Sequence, residues 1–192
     1  LLLFIQSNQV YGSLDSSIVK AVENQNRNED NRKRDKYRNP TETLNFFGIH
    51  KEMKVLEIVP GRGWYTEIIS SLMKGSNNFY VATYEKPSYA TEIISKIQKN
   101  FFIYFKKNEK KFGEIQSVLI NEDFKIMSEE NYFDMVLTFR NTHNFLDQNK
   151  AKEIFNSINR SLKKGGILGV VQHRANESSQ FDYKKGYVKE SF

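Results

Sequence analysis

The 192-residue chain contains no cysteine. That absence excludes a disulfide scaffold, a cysteine-based zinc site and a thiol nucleophile together. Histidine is scarce as well. His50, His143 and His173 stand far apart, and no HExxH or HxH spacing exists, so nothing in the sequence calls for a metal. Long apolar runs are missing too: the opening Leu1-Leu2-Leu3-Phe4-Ile5 is five residues, whereas a bilayer takes about 20. There is no internal repeat and no low-complexity tract.

What is present suits one folded domain. Hydrophobic residues make up 39% and charged residues 27%, which fits neither a disordered polymer nor a polytopic membrane protein. A chain of this size buries roughly 70% of its unfolded surface, so it requires no covalent staple. The net charge of +6 favours solubility and mild attraction to anions without marking a nucleic-acid binder. Six lysines between Lys96 and Lys111 face a single Glu109, and five acids between Asn121 and Asp134 face a single Lys125. That is a polarised surface rather than a basic stripe, and no nucleic acid is expected as a partner.

The sequence divides at two points. Residues 1–12 read as the remnant of a leader, with Val10-Tyr11-Gly12 before the cut, or else as a strand or helix packed on the domain. A leader implies export, to the periplasm or the medium; without it the protein is cytoplasmic. Residues 13–38 are polar and densely charged, and 20–38 read as a solvated helix or linker, with an RNA- or membrane-facing segment as the alternative. The domain proper then runs over 39–192. Gly186 to Phe192 reads as a helix that stops after two turns, so the domain is expected to be truncated at its C-terminal end.

Within 39–192 the hydrophobic period alternates between strand and helix. Asn39 caps, Pro40 fits the first helical position, Glu42 stands where a capping-box acid belongs, and Gly48 closes the helix. Strands are expected at 55–59, 79–84, 116–120, 133–139 and 167–171. Helices follow from Tyr65, Ile68, Ile69 and Leu72, from Pro87 with Ile93, Ile94, Ile97 and Phe101 inward, and from Asp147 as cap to Ala151, Ile154, Phe155, Ile158 and Leu162. Lys163-Lys164 would fill the last turn of that helix and Gly165-Gly166 would stop it. The fold class is α/β: a Rossmann-like open sheet with helices on both faces and its ligand at the carboxyl ends of the strands.

The chemistry is expected at Glu57-Ile58-Val59-Pro60-Gly61-Arg62-Gly63, between the first strand and its helix. Two glycines let the backbone approach a ligand closely beside the free N–H groups of a helix start. Thr66 stands where a third glycine would complete G-x-G-x-x-G, so the dinucleotide fingerprint fails and a nicotinamide-dependent oxidoreductase is disfavoured. Arg62 reads either as a ligand contact or as a solvated turn residue.

Val55 to Gly63 resembles the first motif of class I S-adenosylmethionine-dependent methyltransferases, with Gly61 and Gly63 as its second and third glycines and Val59 in place of the first. Arg38 to Ile49, Gly63-Trp64-Tyr65-Thr66-Glu67-Ile68 and Val171-Gln172-His173-Arg174-Ala175 are similar to a subgroup of predicted methyltransferases, many with leader peptides. The resemblance covers about residues 35 to 192. It implies strand order 3-2-1-4-5 followed by an antiparallel pair, before which this chain ends, and S-adenosylmethionine as cofactor.

By the same resemblance, Glu57 would orient the methionine end of the cofactor, and Gly61 and Gly63 would let the backbone pass close to it. Glu85, following Tyr84, would hold the ribose, Asp123 would meet the adenine amine, and the backbone at Arg140 and Asn141 would lie near the transferable methyl. For the acceptor, His143 is a candidate base or substrate contact, since an imidazole titrates near neutrality. Trp64, His173 and Arg174 are candidate substrate contacts; Arg forks suit carboxylates and phosphates. Two readings follow: a methyltransferase acting on a small-molecule acceptor that the sequence does not specify, or a nonenzymatic small-ligand-binding protein that kept the fold.

Overall fold

A computed structural model describes residues 14–85, 92–178 and 185–189. The expected leader at 1–12 and the helix start at Pro87 lie outside the described residues. Four helices come first: α1 (Ser16–Val22), α2 (Glu29–Arg32), α3 (Asp35–Arg38) and α4 (Pro40–Phe47). Then follow β1 (Val55–Ile58), α5 (Trp64–Leu72), β2 (Phe79–Tyr84), α6 (Glu92–Lys107), α7 (Glu109–Phe112) and β3 (Gln116–Ile120). The remainder is β4 (Phe133–Phe139), α8 (Thr142–Asp147), α9 (Ala151–Ser161), β5 (Leu162–Val171), β6 (His173–Arg174) and β7 (Tyr187–Val188).

The five long strands pair in parallel in the order β3-β2-β1-β4-β5, the order expected from the sequence. Every residue of β1 is buried, as a strand covered on both faces requires. Its alternate side chains feed two cores. Val55 joins Phe79, Val81, Met135 and Leu137 under α1, α4, α5, α6 and α7. Leu56 and Ile58 join Ala82, Tyr84, Val136 and Ile120 under α8 and α9. Chain order reverses between β1 and β4, and the crevice above that switch point is where an open α/β sheet receives its ligand.

Several local expectations are corrected. Asn39 does not cap with its side chain; it sits in the left-handed region at φ 43° and turns the chain from α3 into α4. Asp147 does not begin a helix but ends α8, and α9 starts after Lys150. Lys163 and Lys164 lie in β5 rather than in a helical last turn, because Leu162 is already extended and pairs with Phe133. Ile93 is 69% exposed, whereas Phe101 and Phe105 carry α6 into the core. Residues 187–188 form strand β7 beside β6, not a helix.

The charged segment 20–38 is read from sequence as a solvated helix or linker; it is largely helical and exposed, but Arg27 ties it to the domain. Arg27, fully buried at its side chain, holds Asp35 through both terminal nitrogens at 2.7 and 2.9 Å and also donates to the Val22 carbonyl at 2.6 Å. Its Nε lies 3.8 Å from Glu67 on α5, and Tyr104 on α6 donates to the same Glu67 at 2.6 Å. A planar fork that binds Asp35 through two hydrogen bonds and sets its positive charge beside Glu67, without a hydrogen bond from Nε, explains why so polar a stretch can pack. Breaking one partner of such a buried arrangement leaves uncompensated carboxylates. Arg27→Leu is therefore expected to lower the unfolding free energy by about 3–5 kcal/mol in urea denaturation, whereas Lys33→Leu, whose ion pairs are exposed, should change it by less than about 1 kcal/mol.

Candidate functional site

The turn after β1 is built on a strained residue. Val59, where the first glycine of the motif would stand, adopts φ 47°, a conformation β-branched side chains rarely enter. Asn141, just past β4, holds it there: Asn141 Nδ2 lies 2.9 Å from the Ile58 carbonyl oxygen, 3.1 Å from that of Val59 and 3.1 Å from Thr138 Oγ1. Gly61 and Gly63 are also left-handed, at φ 61° and 82°, but for different reasons. A Cβ on Gly61 would meet nothing within 4 Å, so Gly61 leaves open space above the loop. A Cβ on Gly63 would fall 2.6 Å from the Phe105 ring. Gly63 thus makes room for α6, a packing role rather than the ligand-facing one expected of it.

Beneath the loop, Glu57 is 1% exposed and accepts one hydrogen bond at 2.6 Å, from the Thr66 hydroxyl on the first turn of α5. Burial pushes its carboxyl up to about 8, and the Thr66 bond only partly opposes the shift. Thr66, which broke the glycine fingerprint, is thus the partner of the motif's acid. On the same sheet face, Thr83 of β2 has a buried hydroxyl with no hydrogen-bond partner. It lines a narrow slot of about 30 Å³ together with Val59, Pro60, Gly61, Ile94, Ile97, Gln98 and Phe101. The slot is apolar apart from that one unpartnered hydroxyl, and its volume is about that of a single water molecule.

The other expected contacts sit at the correct edge but are differently engaged. Tyr84 turns into the core beside Phe124, so strand alternation puts Glu85 on the Thr83 side, exposed at the end of β2. Asp123 follows β3, exposed, 3.6 Å from Lys125. Arg62 is exposed and borders a separate cavity of about 550 Å³ along α6. Trp64 does not wall a pocket: it is buried, and its indole N–H donates to the Asn31 carbonyl at 2.8 Å, fixing α5 to the N-terminal helices. Tyr65 stacks on Phe139 at 3.6 Å between ring centroids.

Past β4 and β5 the chain gathers a second group of side chains. Arg140 is left-handed at φ 61°, with its N–H on the Val171 carbonyl at 2.7 Å. Gln172 donates to the Gly186 carbonyl at 2.7 Å, which places its carbonyl oxygen 3.3 Å from His143 Nδ1. Because that oxygen can only accept, Nδ1 carries the proton and Nε2 of a neutral His143 is the basic nitrogen. His173 packs beside Tyr187, and its pKa is held below the ordinary value by burial and then by the neighbouring Arg140, Arg38 and His143. Arg174 is exposed on β6. Asn141 and Gln172 act through contacts to residues 83 and 29 positions away, Thr66 through a contact nine residues away across the loop, and Thr83 through strand register; only the alternation of β2 gave a sequence signal for one of them, Thr83.

No protein-family model matches the chain, and no curated protein is similar to it. Solved structures are. A SAM-dependent methyltransferase from Aquifex aeolicus superposes with a TM-score of 0.58 at 17% identity, over 78% of this chain and 72% of that one. A glycopeptide N-methyltransferase matches in its complexes with S-adenosyl-L-homocysteine and with sinefungin, at TM-scores of 0.53 and 0.54 and identities of 15% and 16%. Those matches cover 70% of this chain and 49% and 52% of theirs, so the chain spans about half the length of that enzyme. The fold is thereby the Rossmann-like fold of methyltransferases.

Two outcomes test the geometry of the loop. At Val59, glycine should be more stable than alanine by about 1 kcal/mol in chemical denaturation, the reverse of the usual order, because only glycine enters this region without a clash. For Glu57, the folded pKa of about 8 exceeds the unfolded value of 4.5, so the folded state binds the extra proton between them. Stability relative to Glu57→Gln should be constant below pH 4.5, fall by at most about 1.4 kcal/mol per pH unit up to about pH 8, and level off above it. Thermal melts of both proteins across that range read the difference.

Proposed function

We propose that the protein is an S-adenosylmethionine-dependent methyltransferase acting on a small-molecule acceptor. The observation that carries the reading is the open Gly61 beside the unpartnered Thr83 hydroxyl, at the switch point of a sheet whose structural neighbours are methyltransferases. When bound, the cofactor supplies a sulfonium methyl as the electrophile. The chain's own task is to align donor and acceptor, since an in-line displacement gains most from positioning.

Gly61 admits a ligand against the backbone, and Thr83 offers its hydroxyl from the strand below. Glu85 and Asp123, at the ends of β2 and β3, are assigned to the sugar and base. Glu57 supports the loop through Thr66; its carboxyl, neutral over much of the physiological range, ionises when a cationic group arrives. His143 is the candidate base, with Nε2 free because Gln172 occupies Nδ1. Entry requires α6 to move off the slot at Ile94, Ile97 and Gln98.

Calorimetric titration with S-adenosylmethionine and then S-adenosylhomocysteine tests this directly. Saturable binding of both is expected. Gly61→Ala should weaken it at least tenfold; the added methyl meets no protein atom, so the loss of stability is limited to the roughly 1 kcal/mol of holding a Cβ at positive φ. No binding by the folded chain, or unchanged affinity in Gly61→Ala, would sink the reading.

A further inference from the structure

The carboxyl edge of β4 and β5 gathers basic side chains, and among the described residues no carboxylate is paired with Arg38 or Arg140. Arg140 Nη2 and His143 Nε2 converge across Gly186: a Cβ there would lie 3.7 and 3.8 Å from them. His173 feels Arg140, Arg38 and His143, and no carboxylate is among the groups that shift it. Arg38 is faced by Arg34, Arg140, Tyr65 and Asp35. The single acid in that company, Asp35, is already held by both terminal nitrogens of Arg27. Among the described residues, no ion pair joins Arg38 or Arg140 to a carboxylate.

The Arg38 guanidinium is also pre-positioned. It lies 4.6 Å above the Trp64 ring, and Trp64 is fixed in turn by its bond to Asn31. Stacking occupies the face of the guanidinium and leaves its edge N–H groups for a ligand. The left-handed turn fixes the Arg140 backbone, and its exposed side chain reaches toward Gly186. Two guanidinium groups that face one another with no carboxylate paired to either among the described residues leave room for a counter-charge brought by a ligand.

We propose that Arg38 and Arg140, with His173 beside them, form a subsite for an oxyanion, so that the acceptor carries a carboxylate or a phosphate, while His143 Nε2 faces the acceptor's proton. Such groups match the fork geometry of arginine and accept several N–H donors at once. The inference gives a substrate class to the crevice read above as a methyltransferase site, and the subsite is assayed without the cofactor.

The full chain is titrated calorimetrically with inorganic phosphate and, separately, with acetate, at ionic strength held constant with sodium chloride. Saturable binding of at least one anion is expected, weakened at least tenfold in Arg38→Gln and in Arg140→Gln and unchanged in the exposed control Lys51→Gln. Arg38→Lys, which keeps the charge but loses the fork, should fall between wild type and Arg38→Gln. Tighter phosphate binding assigns a phosphorylated acceptor; tighter acetate binding assigns a carboxylate. Melting curves without ligand and binding of S-adenosylhomocysteine are read on the same variants. If those are intact, anion binding that is absent from the wild type, or as tight in both arginine variants as in the wild type, overturns the subsite. Loss of S-adenosylhomocysteine binding alone overturns the methyltransferase reading and leaves the subsite standing.

Discussion

The amide of Asn141 reaches from the end of β4 across the switch point to the carbonyls that close β1. Val59 still donates its N–H to the Ala82 carbonyl of β2 at 2.9 Å, but its left-handed turn carries the chain out of the strand and leaves these carbonyls to the Asn141 amide. Strain of this kind costs on the order of 1–3 kcal/mol and persists only where surrounding contacts over-determine it. Here the contacts are the Asn141 amide above and the Glu57–Thr66 bond below. The turn thus owes its shape to tertiary contacts that substitute for a glycine, and the opening of the crevice depends on that shape.

From this turn the crevice divides into two unlike halves. Toward β2 and α6 lies the slot under Gly61, apolar apart from the Thr83 hydroxyl. Toward β5 lie Arg140, His143 and His173, joined from the N-terminal side by Arg38. Arg38 gets there only because Arg27 packs the charged N-terminal helices onto α5 and Trp64 is bonded to Asn31. The segment that looks most like a solvated linker in sequence therefore supplies a wall of the site.

The central sheet was readable because its strands carry short apolar runs bounded by turn residues, and the fully buried β1 and mostly buried β4 leave no competing period. The glycine loop was readable because its residue types answer a local backbone need. What escaped was non-local. Nothing near Arg27 in sequence tells that Asp35 and Glu67 will meet it, and hydropathy alone calls such a stretch solvent-facing. Asp147 and Asn39 have good capping chemistry, yet α8 consumes the first and a left-handed pivot the second. Gly63 carries the motif's signature but is required by the Phe105 ring, a contact no spacing rule contains. The orphaned Thr83 hydroxyl needs the β1–β2 register, Ile58 opposite Ala82, before it can be placed above the slot.

The two halves also differ in the charge they ask of their ligands, and this bears on the chemistry. A sulfonium donor is a cation, so a ring of arginines close to it would oppose its binding; two unit charges 8 Å apart interact by about 2 kcal/mol at an effective dielectric of 20. An oxyanion seated between Arg38 and Arg140 removes that opposition, and donor binding is then favoured by the presence of acceptor. Methyl transfer from a sulfonium to an anionic group also destroys one charge of each sign. A transition state with less charge than the bound reactants loses less by leaving water, so a partly dry crevice favours the reaction over the separated ions. If the proposed function holds, the apolar slot and the arginine edge would suit such a charge-annihilating step, and a base at His143 would be needed only where the acceptor atom carries a proton.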